Sequence, residues 1–200
     1  MAISLKKLFE NWDKRLETET LDEFRGHLET SLRRRQKHLE EEYSGLTEDQ
    51  FEDPRDIEGY RMHLSDLMSE VGAVQYLADE LSIVALYKQV ELHLKRVIAK
   101  NFPSIKEKKL SDIEFVKKTI QFDIETLTDF PAYDELRLIN NAIKHEGKVT
   151  KPLADKFPVW KEGEELKELG VAYSRLLPLT KNYVQHFVSM AYANSQKFKT

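Results

Sequence analysis

The chain has no cysteine, which removes disulfides, thiolate zinc sites and cysteine nucleophiles from consideration. Glycine and proline are scarce as well, with 7 and 6 in 200 residues. An all-β fold draws its many turns largely from these two types, so their scarcity argues against one. No segment approaches the run of about 18 apolar residues that a membrane span requires. The N-terminal stretch MAISLKKLFENWDKRLE is broken by charge every few positions and lacks the apolar region of a secretory leader. A cytoplasmic location with no membrane partner is therefore expected. Excess positive charge is lacking too. The net charge of -4 at pH 7 excludes a surface coated in cations for non-specific duplex binding, and leaves room only for a local basic pocket.

What is present points to helices. Hydrophobic residues make up 40% and charged residues 33% of the chain, a balance typical of helical proteins with charged surfaces. Leu5, Leu8, Phe9, Trp12 and Leu16 predict a short helix over 4–18. Leu21, Phe24, Leu28, Leu32, Leu39 and Tyr43 predict a second over 21–43, stopped near Gly45. From 56 to 101 the apolar stripe hardly breaks, which predicts one long helix or two joined near Gly72. Further helices are expected over 111–124, capped by Ser111 or Asp112, and over 132–145. Residues 148–170 hold Pro152, Pro158, Gly163 and Gly170 and read as a long, partly ordered connection, with a short extended piece around Val171-Ala172-Tyr173. A final helix is expected over 176–193, with Pro178 in its first turn. The expected fold is all-α: one domain over 1–200, an antiparallel bundle of four or more helices with an N-terminal helical pair over 1–70.

Most constellations that carry chemistry are missing. The six histidines form no HExxH pair and no ligand-spaced cluster, so no metal site and no cofactor is expected. There is no phosphate-cradling glycine loop and no GxSxG elbow. Arg33-Arg34-Arg35 with Lys37 and His38 is the one dense basic run, but Glu29 and Glu40-Glu41-Glu42 flank it. A solvated face, or one meeting a protein partner through the N-terminal helices, is the expected role.

The segment DELRLINNAIKHEGKVT, residues 134–150, stands apart. At about 100° per residue, Leu138, Ile139, Ala142 and Ile143 share one arc with Leu136 at its edge. Asp134, Arg137, Asn140, Asn141, Lys144 and His145 fall on the opposite arc. Arg137, Asn141 and His145 rise on successive turns of a single polar stripe, which Gly147 terminates. Two readings stand open: a solvated face, with His145 placed favourably at a helix C-terminus, or a stripe that meets a phosphate. Upstream, Glu91 and Lys95 form an i,i+4 pair, with Arg96 one residue on. These three are either a surface ion-pair cluster or part of the same site.

ELRLINNAIKHEGKV resembles the signature segment of HEPN domains, an all-α family whose motif is an arginine, a polar neighbour, and a histidine four to six residues after the arginine. IVALYKQVELHLKRVIAKNF is similar to the family's earlier core helix, where an aromatic, a glutamate and basic residues precede the motif. The likeness covers residues 75–195. It implies a homodimer that acts on RNA as a metal-independent endoribonuclease of defence or toxin type. His145 would be the acid or base, with Arg137 and Asn141 as its catalytic companions. Asn140, Lys144, Glu91, Lys95 and Arg96 would bind substrate. The alternative implied by the same likeness is a non-catalytic binding or antitoxin-like module. Asn141 and His145 match the family's pattern, whereas Asn140 stands five residues before His145, where the arginine belongs. Arg137 lies eight before, outside the usual spacing. Loss of one such charge-stabilising donor typically costs about 10²–10³ in rate.

Overall fold

The computed structural model describes residues 4–103, 105, 115, 120, 122–145 and 147–195. Among these the fold is an all-α helical bundle with no strand, apart from one isolated antiparallel bridge between Lys148 and Glu165. Six α-helices are described: α1 (Leu5–Asp13), α2 (Glu19–Ser44), α3 (Asp56–Asn101), α4 (Phe130–His145), α5 (Lys151–Lys156) and α6 (Leu169–Ala193). The chain divides into two compact units. One is Glu19–Ser82; the other joins Met1–Thr18 to Ile83–Thr200, so α1 groups with the C-terminal residues rather than with α2.

The smaller unit is a helical hairpin. Acidic residues in the first turns of both helices, Glu19 and Asp22, then Asp56 and Glu58, complement the positive end of the helix dipole. Leu32 and Leu39 from α2 meet Leu64 and Val71 from α3 in its core, with Leu28, Leu67 and Met68 packed around them. The helices run antiparallel, since Arg25 pairs with Asp79, Arg35 with Glu70, and the Tyr60 hydroxyl donates to Glu42. Gly72 is no joint: α3 runs through it unbroken from Asp56 to Asn101. Parts of the basic run are paired with acids on the same helix. Arg33 bonds Glu29 at 2.9 Å and Lys37 approaches Glu41 at 3.3 Å, both pairs solvent-exposed.

The larger unit is built around α4 and α6, which run antiparallel. Asn182 donates to Asp129 near one end of the pair and Arg175 reaches Glu135 further along. Leu136, Ile139 and Ala142 of α4 are fully buried, as are Tyr183, Val184 and Val188 of α6 and Ile83, Leu86 and Val90 of α3. Asp129 enters α4 in the left-handed region at φ 61, a conformation Asp tolerates better than most residues. Its carbonyl accepts from Ala132 and Tyr133, which starts the helix. Gly147, at φ 63, ends it by donating its N–H to the Ala142 carbonyl at 2.9 Å.

Two expectations need correction. The last helix begins at Leu169, so Val171-Ala172-Tyr173 is helical, not extended, and Pro178 lies well inside the helix. Leu169, Ala172, Tyr173 and Leu176 are all buried, and that continuous apolar stripe outweighs the Gly170 punctuation. Pro178 and Ser174 are both exposed, so the carbonyl that the proline leaves without an N–H meets water. The connection over 148–168 is also more ordered than its composition suggests. It contains α5, buries Leu153 and Leu166 completely, and closes on itself through Val149 N–H to the Glu164 carbonyl and Gly163 N–H to the Val149 carbonyl, both 2.9 Å. The helix expected over 111–124 lies mostly outside the described residues, which show a short 3₁₀ turn at Ile124–Thr126.

Candidate functional site

The polar arc of α4 is divided: Asp134 and Asn140 are buried, Arg137 and Asn141 half-buried, and Lys144 and His145 exposed. Asp134 is 3% exposed and Asn140 1%, and Glu135, on the apolar side of the helix, is 4% exposed, so three polar side chains of α4 belong to the interior. Each acid has found partners from elsewhere in the fold. Asp134 accepts from Arg137 Nη2 at 2.6 Å and Nε at 2.9 Å, and from Lys156 of α5 at 2.7 Å. Glu135 accepts from the Trp160 indole N–H at 2.8 Å, and from both terminal nitrogens of Arg175 at 2.9 and 2.7 Å. The two adjacent carboxylates thus latch the connecting segment and α6 onto α4.

Burial by itself would push the Asp134 carboxyl up. The hydrogen bonds and charges of Lys156 and Arg137 outweigh it and hold the group below its ordinary value of 3.8. The unfolded chain therefore takes up this proton first. The stabilisation from Asp134 is present above the unfolded value and is lost as pH falls through the lower folded one. Asp134→Asn is accordingly expected to flatten the acid limb of the stability profile, measured as urea midpoints between about pH 6 and pH 2. An acid limb as steep as the parent's would show that the latch contributes nothing there.

Beside the acids stands an aromatic column. Tyr133 of α4 stacks on Tyr183 of α6 with centroids 4.8 Å apart, and on Tyr87 of α3 at 6.4 Å. Burial raises the Tyr87 phenol, the Glu91 carboxylate raises it further, and the Arg137 guanidinium partly opposes this, so Glu91 and Arg137 share one neighbourhood around the column. Lys95 pairs with Glu91 at 3.0 Å, as the spacing predicts.

The expected site residues therefore divide. Glu91, Lys95 and Arg137 gather around Tyr87 and Tyr133. Asn141 is half-buried and accepts a long 3.3 Å bond from the buried Asn140. Lys144 and His145 are exposed at the C-terminal end of α4. Arg96 lines a different cavity, to which α4 contributes no residue. Arg137 is not a guanidinium held open for phosphate, because Asp134 occupies it. Asp134 is nonetheless shared by two cations, so the Arg137–Asp134–Lys156 trio retains one net positive charge, with the Lys156 side chain half-exposed.

Sequence reasoning missed Glu135, Lys156, Trp160 and Arg175. One signal was available: two consecutive acids cannot share a helix face, so Glu135 had to turn toward the apolar side and would need a cation there. Nothing local singles out Arg175 as that cation. Among the described residues no group of three or more His, Asp and Glu is placed to hold a metal ion, and no helix is long and apolar enough to cross a membrane. A scan against protein-family models, a search of curated proteins and a search of solved structures each found no match to this chain.

Proposed function

We propose that the protein is a HEPN-like helical module that binds RNA as a homodimer, through the exposed end of α4, without cleaving it. The observation that carries this reading is the bonding of Arg137 to Asp134. With Asn140 buried in the motif arginine's position, His145 has no arginine poised beside it to stabilise a pentavalent phosphate. What α4 does offer is a surface for phosphate: Lys144 and His145 at its exposed end, and the net cation of the Arg137–Asp134–Lys156 trio along its side.

Purified protein is expected to retain short single-stranded RNA on a filter, and Lys144→Ala combined with His145→Ala is expected to weaken that retention about tenfold. Incubation of the same RNAs in EDTA should leave them intact. Cleavage in EDTA by the parent that disappears in His145→Ala would replace this reading with that of a metal-independent endoribonuclease. Sedimentation of the same samples tests the dimer, and a monomer that binds the RNA would remove the homodimer from the proposal.

A further inference from the structure

α3 carries more apolar surface than its own chain covers. Leu64 and Val71 meet α2 in the hairpin core. Roughly 100° around the same helix runs a second stripe: Glu70, Val74, Leu77, Leu81, Val84 and Lys88. Val74 is 40% exposed, Leu77 52% and Leu81 51%, and Val84 is half-buried. Exposed apolar residues scattered singly are ordinary, but these stand on consecutive turns of one unbroken helix and form a single surface. A helix that is apolar on two faces normally packs on both.

The stripe has a symmetry that selects its partner. Its successive spacings are 4, 3, 4, 3 and 4, the alternation of a coiled-coil seam, and they read the same in both directions. So do its four apolar members, Val-Leu-Leu-Val. Only the ends differ: Glu70 opens the stripe and Lys88 closes it, about 27 Å along the helix.

A two-fold axis midway between Leu77 and Leu81 sets a second copy of α3 antiparallel to the first. Leu77 then faces Leu81 of the partner subunit, Val74 faces Val84 of the partner subunit, and Glu70 faces Lys88 of the partner subunit, each contact occurring twice. A parallel pair would oppose acid to acid and lysine to lysine, so the end charges select the antiparallel order. Glu70 is open to this role. Its contact with Arg35, at 3.5 Å, joins two well-exposed side chains, and Lys88 is exposed as well.

We infer that α3 pairs antiparallel with α3 of a second copy of this chain, through Val74, Leu77, Leu81 and Val84, with Glu70 and Lys88 as reciprocal ion pairs at the two ends. This gives the proposed homodimer its contact surface and rests on that part of the proposed function alone. It shares no residue with the RNA surface on α4.

Sedimentation equilibrium of the full chain between about 1 and 200 μM tests it, with an expected dimer Kd of about 1–50 μM. Leu81→Glu should weaken the dimer about a hundredfold or more, because the substitution falls on both sides of the axis. Leu81 is half in water, so the variant's thermal midpoint should stay within a few degrees of the parent's. Glu70→Lys or Lys88→Glu alone should weaken it about tenfold, and the two together should restore it to within about threefold. The chain has no cysteine, so oxidation reads the orientation. Val74→Cys and Val84→Cys should cross-link when mixed but not singly, since the two copies of either position would lie about 15 Å apart. A dimer that Leu81→Glu leaves intact, a double charge variant no tighter than the single ones, or self cross-linking of either cysteine variant overturns this surface and leaves the homodimer standing. A chain that is monomeric at about 200 μM removes both.

Discussion

Arg175→Ala is expected to lower folding stability by about 3–5 kcal/mol, and Glu135→Leu by only about 1–2 kcal/mol. The two partners of this ion pair are not equally immersed. The Glu135 side chain is 5% exposed and that of Arg175 is 46% exposed. Removing the arginine strands a carboxylate in the interior with the Trp160 N–H as its one remaining donor. Removing the glutamate instead frees a guanidinium that already reaches water, and leucine refills most of the volume. The loss is then confined to the Trp160 bond and the pair itself. Urea denaturation of both variants at neutral pH measures the difference. Equal costs, or a cost below about 1 kcal/mol for Arg175→Ala, would show that packing rather than this pair holds the connecting segment. Because Trp160 and Lys156 both anchor that segment to α4, the arginine variant should also be cut faster by protease within residues 157–164.

Asn140→Arg, the substitution that would restore the family's motif, is expected to cost at least about 3–5 kcal/mol and to yield no cleavage. Asn140 is 1% exposed, and its Oδ1 has no hydrogen-bond partner among the described residues. A guanidinium there would be longer than the space allows and would bring an unpaired charge into the core. Asn140→Leu should act in the opposite sense and gain about 1 kcal/mol, since it removes an unsatisfied buried carbonyl. Asn141→Arg is the placeable version of the motif: it is half-buried on the stripe with His145, four residues away, and should keep the parental thermal midpoint within a few degrees. Circular-dichroism melts of the three variants decide the matter. A folded, stable Asn140→Arg protein would mean that this position opens to solvent, and would return the enzyme reading to the front.

Much of the architecture is legible along the chain. The extents of α2 and α3, the Gly45 stop of α2 and the Gly147 stop of α4 are local consequences of side-chain spacing and backbone freedom, and each appears in the structure. The Glu91–Lys95 pair is local in the same sense. Where reading the chain misleads, the cause is long-range. Gly170 looks like punctuation only until the burial of Leu169, Ala172 and Tyr173 extends α6 through it. Residues 148–168 look loose because lysine, glycine and proline usually belong to loops; Asp134 and Glu135, distant in sequence, supply the acceptors that order them.

The candidate site divides along the same line. Local spacing alone settles that α4 is amphipathic, that Arg137, Asn141 and His145 rise on one stripe, and that cysteine and disulfide chemistry are excluded. Helical periodicity says which residues share a face but is silent on what that face meets. Packing against α5, the Trp160 turn and α6 makes the interior of Asp134, Glu135 and Asn140, commits Arg137 to Asp134, and leaves Lys144 and His145 in water. Burial and ion pairing depend on partners brought in from other parts of the chain, so the surroundings of a side chain are properties of the assembled fold and not of its neighbours in sequence.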